Sequence, residues 1–505
     1  MTMQQEFNPR QLVEKFLTTY RASGEYLREP IEQLAELASS ENPEILKAAT
    51  GAIFASLVEA LADSFEPSAV LLYNRLFAQL IQYCRKTTRG QAIDEALTQY
   101  GLTNESDFIT RAEQLRYVRR FQRSEAAKQQ VKVIIVLSRV TIGADVAING
   151  VVVNRLRREF PGAKIVLIGN AKAIELFGGN ARIQFAEIKY QRAGTLTERL
   201  LSWLDVRASV EDCLKGLSKE EYLIVDPDSR LTQLGLLPLS RAEKFNPDEH
   251  RKAQIVDDYF FFPSRELGNR TAHSLSELTS VWLNAVFGGD ERIYPEIYLR
   301  ATDCESGGRL VKALRGSSKR PIIAINFGVG ENPAKRISDE FEQQVVVNLL
   351  QRGAKIILDK GAGEDELKRA DAIIQEAQHI TFDNRKVSVI EFDEEKLNRF
   401  TDKKPFAADV LVWRGRIGVL AALIGESDLY IGYDSAGQHI AAALNVACVD
   451  VFAGYTSERM LARWQPTGKA ASRVVAVDTL NQAIDSPQVL TDVLQAADAL
   501  LKDKW

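Results

Sequence analysis

From residue 9 to about 123, apolar positions recur every three or four residues. Leu12, Phe16 and Tyr20 form one stripe, Ile45, Ala48, Ala52 and Leu57 a second, and Leu71, Leu72, Leu76, Leu80 and Ile81 a third. This is the spacing of helix faces. Ser23-Gly24, Glu41-Asn42-Pro43, Glu66-Pro67 and Thr87–Gly90 interrupt the stripes with residues that end one helix and start another. The pattern predicts about five or six helices and no strand.

The rhythm changes at residue 131. VKVIIVLS is a short, continuous, β-branched apolar run, as in a parallel strand buried on both faces. A predicted helix follows over 146–159, then the strand PGAKIVLIG, a β-prone stretch near 183, a helix over 195–204 and the strand-and-loop EYLIVDPDS. After a helical stretch over 275–287 the alternation restarts with PIIAINFG, a helix over 338–352, AKIILDKG, a helix over 364–377 and VSVIEF. It continues with a helix over 416–424, DLYIGYDS, a helix over 437–444 and ACVDVFAG. Strand alternating with helix predicts parallel sheets. Two doubly wound α/β units in tandem would enclose a cleft between the C-terminal ends of their strands. The expected division is a helical domain over 1–128, a first α/β domain over 129–315 and a second over 316–505. On this division, a chain starting near residue 126 is expected to fold and bind its ligand without the helices.

Composition narrows the classes. Of 505 residues, 45% are hydrophobic and 26% charged, which excludes a chain disordered throughout. A net charge of −4 excludes a bulk-basic nucleic-acid binder, so no nucleic-acid partner is expected. Cys84, Cys213, Cys304 and Cys448 form no CxxC pair, so no zinc module or disulfide framework is signalled and a reducing compartment is expected. The N-terminal MTMQQEFNPRQLVEKF lacks the apolar core of a secretion signal. No apolar run nears the ~18–20 residues of a membrane span. A cytoplasmic protein is expected. Arg111, Arg116, Arg119, Arg120 and Arg123 are expected on one helix, as a solvated face or, less favoured, a surface for anionic lipid or an acidic acceptor.

The candidate chemistry lies on strand-end loops. GYDSAGQHIAAAL puts Asp434 and Ser435 at a strand end and Ala436, Gly437 and His439 at a helix start. Free backbone N–H groups and the helix dipole suit a pyrophosphate there, although a simply capped helix has the same signature. NFGVGENPAKR offers Gly328 and Gly330 for tight turns and Lys335 and Arg336 as cations for phosphate. KGAGEDEL offers Glu364, Asp365 and Glu366, carboxylates placed to accept from a ribose diol. Asp145, in the loop after the first strand, is either a helix cap or a general base for an attacking hydroxyl. As a base, its replacement by Asn would lower kcat by about 10²–10⁴-fold.

Together these motifs resemble glycosyltransferase family 9, the group of the ADP-heptose:lipopolysaccharide heptosyltransferases. VIIVLSRVTIGADVAINGVVVNRLRREFPGAKIVLIG is similar to the family's opening strand, loop and helix, and INFGVGENPAKRISDEF to its phosphate loop with the AKRW lysine. GYDSAGQHIAAALNVACVDVFAG is similar to its DSGPMHLAAAL signature and RMLARWQPTG to its closing RW-x-P-x-G stretch. DPDSRLTQLGLLPL and DYFFFPSRELG resemble a connecting region of some members. The chain departs from the pattern at Ala144, Ala436, Gly437 and Ile337, and the segment before residue 126 has no counterpart in it. The resemblance implies a GT-B fold and inverting, metal-independent transfer of a sugar, heptose by family, from a nucleoside-diphosphate sugar to an acceptor hydroxyl. It implies no resident cofactor and catalytic roles for Asp145, Lys335 and Asp434. Gly328, Gly330, Lys335, Glu364, Asp434, Ser435, Ala436, Gly437 and His439 would bind the donor. The acceptor would be a glycan, glycolipid or protein, and a lipid-linked one would bring the enzyme to the inner face of the membrane. The alternatives are a non-catalytic scaffold that binds a nucleotide sugar and a sugar-nucleotide epimerase on the same fold.

Overall fold

The computed structural model describes residues 8–240, 258–265, 267, 273–330, 332–401, 406–480 and 483–504. Glu331 of the glycine loop, and Glu266 and Gly268 of the connecting motif, lie outside the described residues.

Among the described residues up to Leu115 there are six α-helical stretches: Pro9–Ser23, Arg28–Leu37, Pro43–Asp63, Pro67–Cys84, Gln91–Gln99 and Glu105–Leu115. Their ends follow from local chemistry. Asn8 and Asn42 cap with their side chains, prolines occupy first turns, and Gly24 closes the first helix at φ 72°. The third helix widens to π-type turns over Ala52–Val58. The arginine-rich helix expected over this region stops at Leu115. Arg111 is buried and donates to the Gly235 carbonyl, and Arg123 donates to the carbonyls of Glu220 and Lys219. These arginines fasten the segment to the chain beyond it, so the solvated-face reading does not hold for them.

Next comes a five-stranded, all-parallel sheet of β1 (Val133–Leu137), β2 (Lys164–Gly169), β3 (Ile183–Glu187), β4 (Tyr222–Asp226) and β5 (Tyr259–Phe261), in the order β3-β2-β1-β4-β5. A second, seven-stranded parallel sheet contains β6 (Ile322–Asn326) and β7 (Lys355–Asp359). A small hairpin, β8 (Thr381–Phe382) and β9 (Arg385–Lys386), stands apart from it. The sheet continues with β10 (Val389–Asp393), β11 (Val410–Arg414), β12 (Leu429–Tyr433), β13 (Cys448–Ala453) and β14 (Ser472–Val477). Its order is β10-β11-β7-β6-β12-β13-β14. The topology reverses beside β1 and β4 in one sheet and beside β6 and β12 in the other, and at such points the loops open a crevice.

A parallel sheet must be covered on both faces, and strand alternation shows what covers this one. Ile134 and Val136 of β1 join a core shared with Trp282, Leu310 and Ile322. Ile135 and Leu137, on the opposite face, join Phe16, Ile53, Leu76, Phe108 and Trp203 in a second core. The N-terminal helices are therefore one lid of the first sheet. Polar ties reinforce the packing: Leu196 N donates to the Ala38 carbonyl (2.9 Å) and Tyr73 Oη to Gln233 Oε1 (3.0 Å). This shared core argues against the expectation that a chain from residue 126 onward folds independently.

Helix Pro43–Asp63 is long and apolar enough to cross a membrane by length and composition alone, contrary to the reading of the sequence. Its Ala49, Ile53, Leu57, Val58 and Leu61 are buried in the second core, as in a helix packed within a protein. Deleting residues 1–125 should leave a chain that aggregates or melts without a cooperative transition, because one face of a parallel sheet is bared. A soluble, cooperatively melting truncation in differential scanning calorimetry would show that the helices are a separate module.

Candidate functional site

A cleft of about 1600 Å³ lies between the two sheets and beneath the N-terminal helices. All three parts line it: Phe54, Glu59 and Asp63 from the helices, the Arg139–Ala144 loop after β1, and the loops after β6, β7 and β12. The two α/β units meet at its floor. A Cβ on Gly143 would stand 3.3 Å from the His439 ring and 3.4 Å from Ala436 Cα.

In the second unit, the expected anion loops do come together. Lys335 Nζ lies 2.5 Å from Asp434 Oδ2, and Gln438 Nε2 donates to Asp434 Oδ1 at 2.7 Å. Burial works against the lysine's charge, but Asp434 outweighs it and holds the pKa above the usual value. Helix Ala436–Ala443 starts in the cleft with no side-chain cap, so its first N–H groups face the space unclaimed by any side chain. Ser435 lines the cleft, and its buried hydroxyl has no hydrogen-bond partner among the described residues, so it adds an uncommitted donor to the backbone N–H groups. Gly437 has a packing reason of its own, because a Cβ there would lie 2.0 Å from the Tyr430 hydroxyl. His439 is buried, which pushes its pKa down to about 4. It is therefore a neutral ring at neutral pH.

Gly328 and Gly330 both line the cleft, Gly330 at φ 60°. Gly328 N donates to Asn326 Oδ1 (3.0 Å). Glu364 is exposed on the first turn of helix Glu364–His379 and is not part of the cleft wall. Glu366 takes that place. Its Oε2 accepts from Ala362 N (2.9 Å) and Gly363 N (3.1 Å), and its Oε1 lies 3.0 Å from where a Gly328 Cβ would be. The sequence offered both acids; only the loop's turn decides which one points inward.

Asp145 does not face the cleft. It is buried and lines a small separate cavity beneath the edge of the first sheet. Its Oδ2 accepts from Ser138 Oγ (2.6 Å), and its Oδ1 from Arg139 N (2.6 Å) and Asn149 Nδ2 (2.9 Å). Burial pushes its pKa up to about 6 against these donors. Ser138 Oγ in turn accepts from Val140 N (2.9 Å), and Val140 sits at φ 75°, a costly conformation for a β-branched residue. The carboxylate therefore holds the strained cleft loop in shape. Three donors hold its oxygens outside the cleft wall, a placement that weighs against the expectation of a base there.

The sequence reading singled out none of three further cleft residues, although Arg230 and Arg265 lie in its two connecting motifs. Arg265, buried, pairs with Asp228 and donates to the Ala62 carbonyl (3.3 Å). Arg230 has no ion-pair partner among the described residues, and its pKa is raised: Tyr73, Tyr190, Asp63 and Glu59 outweigh the effect of burial. Asp63 ends the third helix. Among the described residues, no group of three or more His, Cys, Asp or Glu stands in an arrangement that would hold a metal.

No family model and no curated protein matches the chain. Among solved structures, it is similar to a glycosyl transferase family 9 protein from Veillonella parvula DSM 2008, at 16% identity, over 73% of this chain and 97% of that one, with a TM-score of 0.49. The corresponding values for E. coli ADP-heptose lps heptosyltransferase II are 15%, 74%, 100% and 0.45. For E. coli heptosyltransferase WaaC with ADP they are 13%, 72%, 99% and 0.43.

Asp145→Asn should lower stability by about 1–3 kcal/mol, because an amide cannot accept from all three donors. The charged form is disfavoured in the folded state, so the folded protein binds the extra proton. Stability on this account falls as pH rises through about 4 to 6. The variant should lose that part of the slope. Thermal melts at pH 4.5 and 7 check both; an unchanged melting temperature and slope would show that the carboxylate does not hold the loop.

Proposed function

We propose that the protein is a glycosyltransferase that uses a nucleoside-diphosphate sugar, ADP-heptose by family resemblance, and inverts the anomeric centre without a metal. The observation that carries this reading is the convergence in one interdomain cleft of Lys335, the uncapped start of helix Ala436–Ala443 and the glycine loop after β6. Together they form a cationic, N–H-rich site for a diphosphate. As the bond from the anomeric carbon to the diphosphate breaks, the electron pair goes to the terminal phosphate oxygen. Lys335 and the helix N–H groups stabilise that charge, the work a divalent cation does elsewhere. Asp434 holds Lys335 in place and lies where sugar hydroxyls would sit. Glu366 rather than Glu364 is placed to accept from the ribose.

The acceptor hydroxyl belongs to a glycan, glycolipid or protein that reaches into the cleft. We place the reaction in the cytoplasm, with membrane association arising through a lipid-linked acceptor.

Lys335→Ala should weaken ADP binding by about 1.5–3 kcal/mol, the scale of a charged hydrogen bond, and leave adenosine binding nearly unchanged. Calorimetric titration of both ligands measures this. Incubation with ADP-heptose, UDP-sugars and GDP-sugars, followed by assay of released nucleotide, identifies the donor. Release of no nucleotide from any donor, with ADP still bound, would leave a binding scaffold. Release of UDP with formation of an epimerised sugar would define an epimerase.

A further inference from the structure

Helix Pro43–Asp63 ends over the cleft, and its last turn together with the residues just after it is anchored to both α/β units. Arg265 of the first unit donates to the Ala62 carbonyl (3.3 Å). Arg459 of the second donates to the Phe65 carbonyl (2.8 Å) and pairs with Glu66 (3.1 Å). The Phe65 ring stands edge-on to Trp464, with centroids 6.1 Å apart. Between these anchors Asp63 lines the cleft, half-buried, with no hydrogen bond among the described residues. Its charge is felt by Lys335 across the cleft and by Arg230 on the facing wall.

The other carboxylates of the cleft are engaged or remote. Asp434 is bound by Lys335 and Gln438, and Asp359 by Asn326. Glu366 caps its own helix, Glu175 accepts from Gly418 N, and Glu394 accepts from Arg416 N. Glu59, one turn before Asp63, is exposed. A general base needs a carboxylate oxygen within reach of the proton that it takes, and Asp145 lies outside the cleft wall.

We infer that Asp63, supplied by the N-terminal helices, is the catalytic base that deprotonates the acceptor hydroxyl. The inference rests on the glycosyl-transfer reading. The acceptor O–H proton passes to a carboxylate oxygen of Asp63 as the acceptor oxygen bonds to the anomeric carbon. The carbon–oxygen bond to the diphosphate breaks, and the nucleoside diphosphate leaves with the electron pair. The lid of the first sheet is then also one wall of the reaction centre.

Burial and Asp434 raise the pKa of Asp63, while Arg230, Arg265 and Lys335 lower it, and the net direction is upward. The base works only when ionised, so turnover should fall as pH falls through that elevated value.

The test uses the full-length protein and the donor that wild type turns over, with water as acceptor and sodium azide as a second nucleophile. Asp63→Asn should lower nucleotide release to water by about 10²–10⁴-fold, with ADP affinity within twofold of wild type. It should lose the acidic limb of the pH–rate profile, and Asp63→Glu should keep that limb. Azide carries no proton to remove, so it should restore nucleotide release in Asp63→Asn, with a glycosyl azide as product. Wild-type turnover by Asp63→Asn, or an unchanged acidic limb, overturns the role of Asp63 and leaves glycosyl transfer standing. So does the absence of azide rescue with ADP affinity intact. Failure of wild type to release nucleotide from any donor removes both readings.

Discussion

A parallel sheet cannot leave a face in water, and the rest of this molecule is arranged around that requirement. The first sheet is apolar on both sides because its strands alternate between two cores. One face is covered by the helices that join it to the second unit. The other would be bare without the N-terminal segment, which lays Ile53, Leu76 and Phe108 against it. Covering that face places a helix across the mouth of the crevice that the sheet topology opens. Catalytic geometry in this chain is thus a by-product of hydrophobic cover, and the two cannot be altered independently.

The electrostatics of the cleft follow a similar economy. The charges that line the second unit's side of the cleft have partners that fix their place: Lys335 with Asp434, Asp434 with Gln438, Asp359 with Asn326. Paired charges in a partly dry site are held still, so they need little reorganisation when new negative charge appears. The Lys335–Asp434 pair also restrains affinity. An incoming diphosphate competes with Asp434 for the ammonium group, so the lysine gives the ligand less in the ground state than an unpaired cation would. It gives more as charge builds on the leaving phosphate, which is the order that favours turnover.

Much of this fold was legible in the sequence. The helix expected over 275–287 is Leu275–Phe287, and the run AKIILDKG is β7. Such elements declare themselves because burial on both faces, or on one stripe, writes a period into the chain. The loops carrying Gly328, Lys335 and Asp434 were also legible, since strand-end glycines and lysines have a chemical reading. What escaped depended on orientation. Glu364 and Glu366 share one helical turn, and only the capping geometry of Glu366 brings it inward. Asp145 looks alike in sequence whether its oxygens face a cleft or are spent on Ser138, Arg139 and Asn149. Asp63 sits in a segment with no motif at all, and its position arises from contacts with Arg265 and Arg459, 202 and 396 residues further along the chain.

Its place at a helix end gives those contacts a further consequence. The last carbonyls of a helix carry partial negative charge; Arg265 takes up that of Ala62, while Arg459 holds the Phe65 carbonyl just beyond the helix end. One arginine comes from each α/β unit, so the position of Asp63 is fixed by both at once. With both in place, burial holds its pKa above the usual value, partly offset by Arg230, Arg265 and Lys335. The covering helix thus sets a carboxyl group in the cleft wall where its protonation depends on charges from both α/β units.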